Sequence, residues 1–454
     1  MQNNKEKAVS KETLMAIIAI AMIGFSGILS ETSMNVTFPK MMTIYHQPLS
    51  NLQWITTIYL LSVAIMTTAS AALKRHFGER QIFFTAASLM IFGTTLATLT
   101  SSFWIMLLAR VIQGIATGII MPQMFNIILE RVPEKKIGTY MGLGGLIISL
   151  APAFGPTYGG FMISHFAWQW IFICILPFPI IASVIAYRFL IDSPKGEAES
   201  FDYLGFISLS ISLTMALLII TSLQNGGINW IYVLVFFLSF AIFLYQSLNR
   251  QYPFLDIRIL KRPSVSFGLI PFFTFQLINL GINFITPNFI VLQNIANSST
   301  AGLVLLPGTL LGAICAPLLG KLYDEKGAKL SLYMGNSLFF LSLLIITIML
   351  SHFRILPFTL LYIIFTIGRN MTFNNTLATA IQNLPVSKNA DATAIFQMMQ
   401  QFAGALGTAL AAIMANNSSS LTNGVTNVYL LFTFLAILNY LLYIGMFTFL
   451  NKGK

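Results

Sequence analysis

The chain has 454 residues, 56% of them hydrophobic and only 9% charged, with a mean hydropathy of +0.79. An average globular domain carries about 25% charge, so a water-soluble domain is excluded. The net charge of +11 would suit a nucleic-acid partner, an option that the distribution of the charges removes below.

Polar punctuation cuts the chain into fourteen apolar segments, at 13–37, 52–73, 82–101, 103–127, 138–163, 170–190, 203–223, 230–248, 264–287, 301–322, 329–350, 355–378, 391–414 and 427–449. Each is about the 20 residues that a helix needs to cross a bilayer. Long continuous apolar runs are not the alternation of a membrane barrel, so the fold class is an all-α polytopic membrane protein. The first segment is too long for a cleavable signal, and thirteen more follow it. Of the 25 Lys and Arg, 21 fall on the side of the N-terminus, two (Lys40 and Arg354) on the other, and two (Arg110 and Arg369) inside segments. The positive-inside rule then places both termini in the cytoplasm of a cell membrane and accounts for the basic balance without nucleic acid.

In chain order, segment one carries Glu31, about 18 residues or ~27 Å of helix beyond its start. It is the one of the 14 acidic residues that lies well inside an apolar segment. A carboxylate in lipid is costly and faces a bundle interior or a water-filled cavity, which marks a proton or cation site; snorkelling or a structural pair is the plainer reading. Met34 and Phe38 flank it toward the outer mouth. Segment four brings Arg110 and Gln113, and helix rise puts Arg110 at the depth of Glu31, roughly 10 Å below the outer surface. Burial favours a neutral carboxyl and a neighbouring guanidinium the charged one, so small changes in distance or hydration would switch Glu31; Arg110 as a mere pin is equally open. Segment five carries Gly142, then Ala151, Gly155, Pro156, Gly159 and Gly160. Ala151, Gly155 and Gly159 form an i, i+4 stripe that admits another helix closely, while Pro156 permits a bend.

Segment nine shows Gln276, Asn279 and Asn283 on one helical face, able to line a cavity without fixed charge. Segment twelve adds Arg369 and Asn374, and segment thirteen Gln397 and Gln400; interhelical hydrogen bonding is the plainer role for these sets. Abundant Phe and Met suit an adaptable apolar wall, and a single carboxylate in it favours hydrophobic cations.

Two loops repeat. Ala71–Arg80 contains Gly78, and Gly320–Lys329 contains Gly320, Asp324 and Gly327, the glycines Gly78 and Gly327 standing 249 residues apart. The second copy, Gly-x-Leu-x-Asp-x-x-Gly-x-Lys, resembles the signature loop of the major facilitator superfamily; the first has Ala71 and Arg75 where glycine and aspartate are usual. Gly155-Pro156-Thr157-Tyr158-Gly159-Gly160 is similar to the motif of that family's antiporter branch, and Phe201-Asp202-Tyr203-Leu204-Gly205 agrees with it. The chain thus resembles the fourteen-helix drug:proton antiporters over nearly its whole length. The resemblance implies a major facilitator fold with an N-terminal six-helix bundle (1–190), two inserted helices with their linkers (191–263) and a C-terminal six-helix bundle (264–454). It implies a bacterial multidrug exporter that exchanges hydrophobic, often cationic compounds for protons by alternating access, with Glu31 and Arg110 in the coupling.

The remaining alternatives are a proton-coupled or facilitative transporter of one small metabolite and a non-transporting receptor. No enzyme is expected. His46, His76, His165 and His352 are scattered, and Cys174 and Cys315 lie in apolar runs, so neither metal nor disulfide sites arise. No phosphate-cradling motif is present, so the expected energy source is a proton gradient with no cofactor. The expected partners are drugs, protons and the lipid bilayer, and the expected state is a monomer.

Overall fold

The computed structural model describes residues 9–133, 136–192, 201–223, 227–250, 253–382 and 384–452. Fourteen helices among them are long and apolar enough to cross a membrane: α1 (Lys11–Met34), α2 (Leu49–Ser70), α3 (Glu79–Leu99), α4 (Phe103–Ile128), α5 (Leu143–His165), α6 (Trp170–Phe189) and α7 (Tyr203–Ser222). The others are α8 (Trp230–Asn249), α9 (Pro263–Leu292), α10 (Ser298–Lys326), α11 (Ala328–His352), α12 (Ile355–Ile381), α13 (Asp391–Asn416) and α14 (Leu421–Leu450). No strand occurs among the described residues.

A helix closes its backbone hydrogen bonds on itself, the condition for sitting in hydrocarbon. The hydroxyls inside the spans follow the same rule. Ser26 Oγ donates to Met22 O at 2.7 Å and Thr32 Oγ1 to Ile28 O at 2.8 Å, so small polar side chains travel in the helix already satisfied. One boundary differs from the apolar pattern. Segment one reads as apolar to Thr37, yet α1 stops at Met34, and a short second helix, Phe38–Tyr45, leaves at a new angle with Pro39 in its first turn. Proline fits a first turn because it has no N–H to lose there.

Helices α1 to α6 pack among themselves, as do α9 to α14, and the two groups meet chiefly along two seams, α2 against α13 and α5 against α10. The first seam carries Thr57 Oγ1 and Thr408 Oγ1 at 3.0 Å. The second is glycine-built. An added Cβ on Gly160 would lie 2.3 Å from Ser298 O, and one on Gly302 2.2 Å from Pro156 O. Helices α7 and α8 pair through Ser212 Oγ and Ser239 Oγ at 2.9 Å. Helix α7 leans on α2 and α13 from outside, where Leu209, Leu213 and Leu217 join a buried cluster with Ile395 and Met398, while α8 leaves Leu234 and Phe237 exposed to the membrane.

The Asp202-x-x-Gly205 pattern has a local cause. Asp202 caps α7 by accepting from Gly205 N at 3.0 Å, and its Oδ1 also takes Arg250 Nη1 from the far end of α8 at 3.0 Å. Replacing Asp202 with Ala is expected to remove about 1 kcal/mol through the lost cap, with a further loss from the broken Asp202–Arg250 ion pair. Thermal unfolding in detergent checks this, with Asp202→Asn, which keeps a capping oxygen, falling between the two.

A cavity between the two helix groups

A cavity of about 430 Å³ lies where the two groups face each other. One wall is built from α1, α2, α4 and α5 with Glu31, Thr32, Tyr59, Leu60, Thr117 and Met121; the other is built from α9, α10, α12 and α13 with Gln276, Asn279, Asn283, Arg369, Asn374 and Gln400. Its lining on α4, α5 and α10 runs from mid-helix toward the end that bears the α2–α3 and α10–α11 loops. The opposite end is shut by the α5–α10 glycine seam and by Asn288 Nδ2 donating to Asn35 O at 2.7 Å.

Glu31 is 4% exposed, and its Oε1 has no hydrogen-bond partner among the described residues. Its neighbours are held tightly. On α5, an added Cβ at Gly155 would sit 1.8 Å from Thr32 Oγ1, and one at Gly159 would sit 2.1 Å from Ser33 O. The glycine stripe therefore seats α5 on the turn of α1 that presents the carboxylate, a close approach that any side chain would prevent.

Arg110 is fully buried and does not form an ion pair with Glu31 among the described residues. Its Nε donates to Ile55 O at 3.0 Å, and its Nη1 to Ser30 Oγ at 3.0 Å and to Gln113 Oε1 at 2.6 Å. Tyr59 lies beneath the guanidinium, with the ring centroid 4.4 Å from Cζ. Arg110 thus ties α4 to α1 and α2 one residue from Glu31, close enough to act on the carboxylate through space and held too firmly to swing onto it. Arg110→Lys cannot reach three acceptors that a planar fork serves at once. We expect it to destabilise the protein by about 2–3 kcal/mol, read as a lowered melting temperature in micelles, because buried acceptors are left unpaired.

Four expected lining residues are not at the cavity. Met34 and Phe38 are fully buried in the core, Phe38 packing on Phe284 with centroids 5.5 Å apart, because α1 ends at Met34 and the chain turns toward α9. Gln113 is spent in the Arg110 network, its Nε2 donating to Thr94 Oγ1 at 3.0 Å. Gln397 is half-buried and falls outside the lining, whereas Gln400 and Gln401, about one turn further along α13, are in it. Tyr59 and Thr117 line the cavity without having been expected there; Tyr59 Oη donates to Thr117 Oγ1 at 2.9 Å. A tyrosine inside an apolar run was the available signal, since its hydroxyl needs a partner in lipid.

The motif loops behave differently. Gly78 precedes α3 and lies against Asp192, whose Oδ1 accepts from Arg80 N at 3.3 Å, so an aspartate from the end of α6 serves the loop copy that lacks its own. In the second copy Gly327 adopts φ 84°, a left-handed turn that favours glycine, while Asp324 is exposed and an added Cβ on Gly320 would meet nothing within 4 Å. The surroundings of Gly142 lie outside the described residues.

The model of the Major Facilitator Superfamily matches residues 20–408. The lincomycin resistance protein LmrB of Listeria innocua is 30% identical over 399 residues, covering 87% of this chain and 85% of that one. LmrB of Bacillus subtilis is 30% identical over 436 residues, covering 93% and 90%. Among solved structures, a POT family transporter crystallised with a thioalcohol-conjugated peptide superposes with a TM-score of 0.71 at 14% identity, over 96% of each chain, which speaks to the fold alone. With fourteen membrane-crossing helices, a central cavity and these matches together, the chain belongs to the Major Facilitator Superfamily and is a transporter, not an enzyme.

Proposed function

We propose that the protein exports hydrophobic, often cationic compounds across a bacterial cell membrane in exchange for protons, as a monomer with both termini in the cytoplasm and no bound cofactor. The observation that carries this reading is Glu31: a carboxylate in the wall of the cavity with one oxygen unclaimed among the described residues. A proton and a cationic compound compete for such a group, and that competition is the minimum an exchanger needs. With the Lys- and Arg-rich loops on the cytoplasmic side, the cavity faces inward and the α5–α10 seam closes the outer side. The relatives named for lincomycin resistance make lincomycin the first compound to try.

The test uses inside-out vesicles acidified internally by respiration, to which lincomycin or ethidium is added. Drug-dependent loss of the proton gradient, above that of vesicles lacking the protein, supports exchange. Absence of both proton release and drug uptake in vesicles that hold the folded protein would overturn the reading.

A further inference from the structure

The cavity contains a second charge. Arg369 on α12 lies on the wall across from Glu31, with Nη2 donating to Gln276 Oε1 at 2.7 Å and Nη1 to Asn370 Oδ1 at 3.2 Å. Its Cζ stands 4.5 Å from the Phe373 ring centroid, and its buried Nε has no partner among the described residues. Both of its acceptors are neutral amides, and the nearby lining residues Asn279, Asn283 and Asn374 are neutral too. No second carboxylate lies at this depth in the sequence, and no ion pair joins Glu31 to Arg369 among the described residues.

Arg110 makes the contrast clear. It also uses neutral acceptors, but it is fully packed and has no face on the cavity. Arg369 is half-buried and open to it. A guanidinium in a wall of low polarity gains most from an anionic acceptor, and its planar fork matches a carboxylate. Gln276 and Asn370 hold that fork in place beforehand, and Phe373 supports its face.

We infer that Arg369 is a subsite for an anionic group of the transported compound, so that the cavity takes zwitterionic amphiphiles. The basic amine lies toward Glu31, the carboxylate on Arg369, and the apolar body between them against Tyr59, Leu60, Leu280 and Phe373. This rests on the export reading above and adds an anionic subsite to the expectation that a single carboxylate favours hydrophobic cations.

The test compares ciprofloxacin, a zwitterion at pH 7, with its methyl ester, which keeps the ring and the amine but loses the carboxylate. Binding of each to the purified full-length protein is measured by titration calorimetry in micelles. Wild type is expected to prefer the zwitterion about tenfold, the order of one charge-assisted hydrogen bond. Arg369→Gln, which can still bond to its amide neighbours, is expected to bring the ratio close to one. Arg369→Lys, which keeps the charge without the fork, is expected to fall between.

A wild-type ratio near one, or no binding of either compound, overturns the assignment, and neither result depends on whether a variant folds. A wild-type ratio that persists in Arg369→Gln also overturns it, including the case in which both affinities fall together, as they would for a structural pin. The ratio is read without a gradient, which separates the two proposals. Antiport with a ratio of one removes only the subsite, whereas a tenfold ratio without antiport removes only the exchange.

Discussion

Glu31→Gln abolishes gradient-driven export while drug exchange without a gradient continues. The amide has the shape of the protonated acid, so the cavity keeps its form and loses the ability to give up a proton together with the charge that draws a cation. For a compound with no net charge, one proton exchanged per cycle across 100 mV is worth about 2.3 kcal/mol, or about a 50-fold concentration ratio, and the variant forfeits that factor. In vesicles, drug-dependent proton release should fall to the leak seen without the protein, while exchange of labelled drug for unlabelled drug stays measurable. Glu31→Asp, one methylene shorter, should retain part of the coupling. Undiminished active export by the Gln variant would move the coupling to another residue, and loss of exchange even for an uncharged compound would make Glu31 a structural group instead.

Gly160→Val breaks the outer seal and leaves the two helix groups folded. The Cβ would fall 2.3 Å from Ser298 O and 3.2 Å from Ser299 Cα, backbone atoms that cannot turn aside as a long side chain would. Overpacking of this kind costs about 1–3 kcal/mol, and under the proposed export cycle it acts on one conformation only, because α5 and α10 belong to groups that would separate in alternating access. The equilibrium should shift away from the closed seam by a factor of about 5 to 150. Cysteine accessibility reports it. In a background lacking Cys174 and Cys315, a cysteine at Thr32 should react faster with a reagent added from the α5–α6 side in the Val variant. The same exchange at Gly227, where an added Cβ meets nothing within 4 Å, serves as the control. Equal labelling in both would mean that this seam does not gate the cavity.

These expectations draw on different layers of information. Hydropathy was enough to place fourteen helices, because lipid demands long apolar runs and tolerates little else. The same rule exposed Glu31: a lone carboxylate deep in a span is visible by its cost. Ala151, Gly155 and Gly159 could be read as a contact stripe from their spacing, although not that Gly155 and Gly159 would seat on Thr32 and Ser33 or that Gly160 would meet Ser298 across the seam.

Tertiary structure decided which polar residues face the cavity. Arg110 and Arg369 look alike in sequence, each an arginine in an apolar segment with an amide within the next three residues, yet one is a sealed tie and the other an open wall group. Met34 and Phe38 stand within seven residues of Glu31 and still turn away from it, because the chain leaves α1 before Phe38 and packs it on α9. A one-dimensional pattern reports how far along a helix a residue lies, and so its depth. Which way that residue points depends on how each helix is rotated and seated against its neighbours, and that is settled by groups distant in sequence, such as the Ile55 carbonyl and the Ser30 hydroxyl for Arg110 and the Gln276 amide for Arg369. Depth was therefore available from the sequence alone, and the choice between core, tie and cavity wall was made by packing.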